Sequence, residues 1–88
     1  MTAYSIEFTA RAEGQFLRLD AKTRARLEPR IDQLEQWPDR ALDVKPLRGE
    51  RAGEYGLRVG EYRVVSTVDE EGQGILVREV GSRGRICR

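Results

Sequence analysis

Three arginines dominate the chemistry this 88-residue sequence offers: Arg58, Arg63 and Arg83. A guanidinium stays charged throughout the physiological pH range and grips a phosphate with two parallel N–H donors. Arg58 alternates with Leu57 and Val59, so it faces away from the apolar side of its strand. Arg63 follows Tyr62 just after Gly60-Glu61, and Arg83 lies beyond Val80-Gly81. Converging on the open face of one sheet, the three would form a phosphate-reading surface, with Lys45 and Arg48 at its rim and Arg85 in the tail. Taken singly, each is equally a solvated surface arginine. Tyr55 and Tyr62 can stack on a base or serve as half-buried sheet aromatics. Glu54 and Glu61 are the carboxylates close to the strand arginines and the candidate general bases. Cys87 is a lone thiol whose default is inert.

Other chemistries are removed by composition. The chain has no histidine, so it has no imidazole base, no Ser–His or Cys–His pair and no His-ligated metal. One cysteine forms neither an internal disulfide nor a structural zinc site, and it suits a reducing, cytoplasmic setting. No cofactor is expected. The net charge is +1, but its distribution is uneven. Residues 1–43 carry 7 Lys/Arg against 8 Asp/Glu, and residues 44–88 carry 9 against 7. Residues 78–88 hold four arginines against Glu79 alone. No apolar run approaches the ~20 residues of a membrane helix, and the start lacks the basic and apolar regions of a secretory signal.

The elements that must position these arginines follow from periodicity. Tyr4 to Phe8 alternates with period two, predicting a half-buried strand. Thr9 then offers an N-cap, and Ala12, Phe16, Leu17 and Leu19 mark an amphipathic helix. Asp20 caps a second helix with an inward face of Ala21, Ala25, Leu27, Ile31 and Leu34. Pro29 is expected to kink that helix or split it, and Trp37-Pro38 to end it, with Trp37 as a core anchor. Val44 to Leu47 is a short extended piece, followed by a Gly-punctuated turn. Tyr55 to Val59 and Tyr62 to Val68 form a hairpin across Gly60-Glu61, and Ile75 to Val80 is the last strand. The order β-α-α-β-β-β predicts one α+β domain over residues 1–88, with a helical hairpin on one face of a small, mainly antiparallel sheet.

The block Gly60-Glu61-Tyr62-Arg63-Val64-Val65, the preceding Pro46-Leu47-Arg48-Gly49 and the ending Val80-Gly81-Ser82-Arg83 together resemble the RelE/ParE superfamily of small bacterial toxins from type II toxin–antitoxin modules. The resemblance spans nearly the whole chain and places it nearest the RelE branch. It implies a toxin that cleaves messenger RNA at the ribosome and so inhibits translation, held inactive by a cognate antitoxin in a hetero-oligomer. The implied reaction is metal-independent: a ribose 2′-hydroxyl attacks the adjacent phosphate while arginines stabilise the developing charge.

By position, the resemblance gives Arg58, Arg63 and Arg83 the catalytic roles and Lys45, Arg48, Tyr62 and Arg85 the RNA contacts. Lys45 stands where some relatives carry a glutamate base. Ser82 occupies a place where the family often has His or Lys, and Cys87 is the nearest match to a tyrosine that commonly follows. The charge clamp is thus present and the proton-transfer set is thin. Two other readings remain open on these residues: a ParE-like inhibitor of DNA gyrase, and a catalytically weakened toxin acting mainly as an antitoxin-binding module.

Overall fold

Two side-chain caps start the two helices. In the computed structural model, which describes residues 3–37 and 44–82, strand β1 (Ser5–Phe8) runs into helix α1 (Ala10–Leu17). The Thr9 hydroxyl accepts the Ala12 N–H at 3.1 Å, taking one of the donors that a helix start leaves unpaired. The Asp20 carboxylate opens helix α2 (Ala21–Asp32) in the same way, accepting the Thr23 N–H at 2.7 Å. The hydrogen bonds from Thr23 hold the Asp20 carboxyl below its ordinary pKa. At the other end of the linker, the Arg24 guanidinium donates to the carbonyls of Leu17 and Leu19. Arg24 therefore closes the end of α1.

Helix α2 runs through Pro29 without a break and tightens into a 3-10 turn at Gln33–Gln36. The expected join between two shorter helices is thus replaced by one continuous helix. A proline inside a helix costs about 3 kcal/mol. Burying Leu27 and Ile31 on either side of it contributes about 1.5–3 kcal/mol each, enough to carry the helix across. The buried stripe is Leu27, Ile31 and Leu34, at spacings of four and three. Ala21 and Ala25, expected on the inward face, are exposed because they lie off that stripe. Trp37 ends the segment, half-buried, its ring edge-on to Tyr55 at 4.8 Å.

The sheet has five strands in the order β1-β5-β4-β3-β2. Strands β2 (Val44–Pro46), β3 (Tyr55–Val59), β4 (Tyr62–Asp69) and β5 (Gly74–Ser82) pair antiparallel, and β1 closes the other edge parallel to β5. The fold is therefore the expected α+β arrangement with one added strand. The extended piece Val44–Pro46 pairs with β3 as a sheet edge, where Pro46 needs no ladder donor. The hairpin turn falls at Gly60-Glu61 as expected, with Gly60 at φ +59. Leu57, Val59, Val64, Ile75, Val77 and Val80 face the helices and join Ala12, Leu27, Ile31 and Leu34 in one core. No helix among the described residues is long and apolar enough to cross a membrane.

The ladder between β4 and β5 is broken at one point. Val65 pairs with Glu79 but Ser66 pairs with Val77, so Arg78 is an extra residue on β5. Such a bulge re-aims side chains that strict alternation would send to opposite faces.

Candidate active site on the open face

The face of the sheet turned away from the helices carries the charged side chains. Register sets them in two rows. Arg58 stands directly opposite Arg63, with Gly81 beyond. The next row is Lys45, Gly56, Val65 and Glu79. Gly56 is the joint between the rows: a Cβ built there would lie 3.2 Å from Arg63 Cδ and 3.3 Å from Leu47 Cδ2. The Arg63 side chain therefore lies flat across the Gly56 backbone and against Leu47.

The connection between β2 and β3 folds over this face, anchored by the Leu47 N–H donating to the Glu54 carbonyl at 2.9 Å. It carries Arg51, whose guanidinium donates to Glu54 Oε1 at 3.2 Å and to Glu79 Oε2 at 2.9 Å. Because Glu79 sits on β5, Arg51 reaches across β4 and covers Val65, which is fully buried outside the helix-side core. Arg11, at the start of α1, stands 3.5 Å from the second oxygen of Glu79. Arg78, moved by the bulge, stands 3.7 Å from Glu54 Oε2. The hydrogen bond that Arg51 donates to Glu79, with the charges of Glu79 and Glu54, raises the Arg51 pKa above its already high ordinary value.

These groups surround an open cleft of about 760 Å³. Five arginines line it (11, 48, 51, 63 and 78) together with Glu50, Glu54 and Glu79, a formal charge of +2. Among the described residues, no group of His, Cys, Asp and Glu is arranged to hold a metal ion. Chemically the cleft offers guanidinium donors to an anion, and carboxylates already engaged with some of them.

The residues singled out from sequence divide accordingly. Arg63 and Arg48 line the cleft. Arg58 is on the same face, exposed beside Arg63, and Lys45 lies exposed one row over at the β2 edge. Tyr62 is not with them. It packs on the helix side and lines a separate hollow with Arg18 and Leu19. Tyr55 packs on Trp37, also on the helix side. Glu61 is exposed in its turn, whereas Glu54 is tied to Arg51 and Arg78. Arg83, Arg85 and Cys87 fall outside the described residues. Sequence reading missed Arg11, Arg51, Arg78 and Glu79. Only the last two left a signal: adjacent Arg78-Glu79 interrupts an apolar alternation, which is how a bulge reads in sequence.

Comparison with known proteins finds relatives of the chain and of its fold. The family model described as the ParE toxin of the type II toxin–antitoxin system parDE matches residues 6–87. A comparison with curated proteins found no match. Among solved structures, the chain is similar to the toxin–antitoxin complex RelBE2 from Mycobacterium tuberculosis, with a TM-score of 0.80, 27% identity and 94% of each chain covered. It is also similar to the intact RelBE toxin–antitoxin complex of E. coli, with a TM-score of 0.75, 26% identity, and 91% of this chain and 96% of that one covered. A YoeB/ParE toxin from Agrobacterium tumefaciens shares the fold at a TM-score of 0.74 and 24% identity, with 89% of this chain and 96% of that one covered.

Proposed function

The chain belongs to the ParE toxin family of type II toxin–antitoxin systems, and we propose that its open-face cleft serves an endoribonuclease that cleaves messenger RNA in the RelE manner. The observation that carries this reading is the pair Arg58 and Arg63, opposed across β3 and β4 on the face that holds the arginine-lined cleft. A phosphodiester seated there meets fixed guanidinium donors, the electrostatic arrangement that transfer at phosphorus needs. In the reaction, a ribose 2′-oxygen forms a bond to the adjacent phosphorus and the bond from phosphorus to the 5′-oxygen breaks. The 2′ proton passes to a base, and the departing 5′-oxygen takes up a proton. The products are a cyclic phosphate on one fragment and a 5′-hydroxyl on the other.

Expression in a bacterium, with mapping of RNA ends, tests this. Growth should stop and new 5′-hydroxyl ends should appear. Arg63→Ala should lower cleavage about 10²–10³-fold, as loss of one transition-state donor does. Unchanged growth with no new ends would sink the proposal. Arg24→Ala is unsuitable as a control, since Arg24 holds the end of α1.

The match to the ParE model favours a second reading, inhibition of DNA gyrase through protein contact. Loss of supercoiling by purified gyrase at saturating protein, with no RNA ends formed, would select it. In either case the partner is a cognate antitoxin, because solved relatives are toxin–antitoxin complexes.

A further inference from the structure

The cleft holds its own counter-ions. Glu79 lies between Arg11 and Arg51, and Glu54 between Arg51 and Arg78, so Arg51 is shared by both carboxylates. The two Arg51 bonds are part-buried hydrogen bonds, and the exposed side chains of Arg11 and Arg78 approach the same carboxylates from outside. The Glu79 side chain is 13% exposed and that of Glu54 is 22%, and Arg51 is anchored on one side of the sheet while its partner Glu79 sits two strands away. A carboxylate offers two oxygens to a guanidinium much as a phosphodiester does. Glu54 and Glu79 therefore stand where phosphate oxygens would stand.

We propose that Glu54 and Glu79 are built-in substrate mimics, and that the cleft takes an RNA strand by exchange, each phosphate replacing a carboxylate on Arg11, Arg51 or Arg78. This rests on the reading of the cleft as a phosphodiester site. Exchange has a consequence for specificity. Swapping one carboxylate for one phosphate changes little, because the arginines are neutralised before and after. A ligand gains only when it brings several phosphates at once, some of them to Arg63 and Arg48 on the same cleft. The cleft thus discriminates for a chain of nucleotides over a mononucleotide, and the two glutamates set that discrimination.

Exchange also alters the salt dependence. When a phosphate displaces a carboxylate from an arginine, the cation released from the RNA is offset by one drawn to the freed carboxylate, so the exchange adds little to the salt slope. A freed arginine adds about 0.7 per phosphate for a single strand.

Fluorescence anisotropy with a labelled 2′-O-methyl RNA decamer, which lacks the attacking hydroxyl, measures this on the whole protein at several salt concentrations. Glu79→Gln should bind about 5–10-fold more tightly at low salt, from removal of one charge within several ångströms of the phosphates, and its salt slope should steepen by about 0.7–1.4. Glu54→Gln should shift both quantities the same way. Arg51→Ala should weaken binding. Melting temperatures identify a variant that has lost its fold, in which case the other glutamine variant decides. Should neither fold, the wild-type slope does: exchange requires a slope well below that of five free arginines.

Folded glutamine variants that bind no more tightly than wild type, with unaltered slopes, would overturn the exchange. The decamer cannot be cut by this route, so the outcome is separate from that of the proposed activity. A protein that binds as described but cleaves no RNA loses only its nuclease reading. One that cleaves RNA yet ignores Glu79 and Glu54 loses only the exchange.

Discussion

Gly56→Ala is the most informative single substitution, because it perturbs Arg63 without touching its charge. The added Cβ would meet Arg63 Cδ at 3.2 Å, Leu47 Cδ2 at 3.3 Å and Arg63 Nε at 3.4 Å. Carbon atoms rest at about 3.5–4.0 Å, so Cδ must retreat by a few tenths of an ångström. The guanidinium lies farther along the side chain, and the displacement grows there to about 0.5–1 Å. A misplacement of ~1 Å at a catalytic group costs about 10²-fold in rate. Cleavage should therefore fall about 10–100-fold, while stability changes by no more than about 1 kcal/mol. The assay is the rate of 5′-hydroxyl end formation on purified protein, alongside a thermal melt. Gly14→Ala is the matched control, since nothing lies within 4 Å of a Cβ at that position of α1. It should leave the rate unchanged and stabilise the helix by about 0.5–1 kcal/mol. In an Arg63→Ala background, adding Gly56→Ala should cost nothing more, because the group it displaces is gone. Full activity in Gly56→Ala, or an undiminished effect without Arg63, would refute the reasoning.

Two further predictions concern the scaffold. The Ser66 hydroxyl is buried with no hydrogen-bond partner among the described residues, so Ser66→Ala should be stabilising by about 1 kcal/mol. That raises the melting temperature by roughly 4–8 °C in a domain of this size, and a lower melting temperature would contradict it. Asp20 acts through pH: its folded-state pKa is lowered, so its contribution is complete above the ordinary carboxylate range and fades as pH falls through the lowered value. Asp20→Asn keeps a capping oxygen but does not titrate. Melting temperatures measured down an acid series should fall less steeply for the variant, and parallel curves would count against the cap as the source.

What could be read from sequence was whatever depended on neighbours along the chain. The caps at Thr9 and Asp20, the turn at Gly60-Glu61 and the burial of Leu27, Ile31 and Leu34, though not of Ala21 and Ala25, follow from local spacing, and the structure has them. Pro29 does not split α2, because its local cost is real but smaller than the burial on either side of it. The site divided on the same principle. Arg58 and Arg63 announce themselves by alternation and by the hairpin between them. Arg51 sits in a polar turn that looks like any other, and its importance comes from Glu79, 28 residues on. Tyr62, to which the resemblance gives an RNA contact, takes the other role its residue type allows. It is a half-buried sheet aromatic on the helix side, because adjacent strand residues point to opposite faces.

The parallel pairing of β1 with β5 sets a schedule for the molecule. Ser5 lies beside Gly74, and Thr9 donates both to the Val77 carbonyl and, across a separation of 69 residues, to that of Arg78. At a synthesis rate of ~5–20 residues per second, β1 waits roughly 4–14 s for its partner to be made. Contacts of such long span form late and slowly. Arg78 and Glu79, two of the groups that complete the cleft, belong to that same last strand. The charged cleft therefore cannot assemble on a partly made chain, and a ribosome translating this protein meets no finished cleft until β5 has left it.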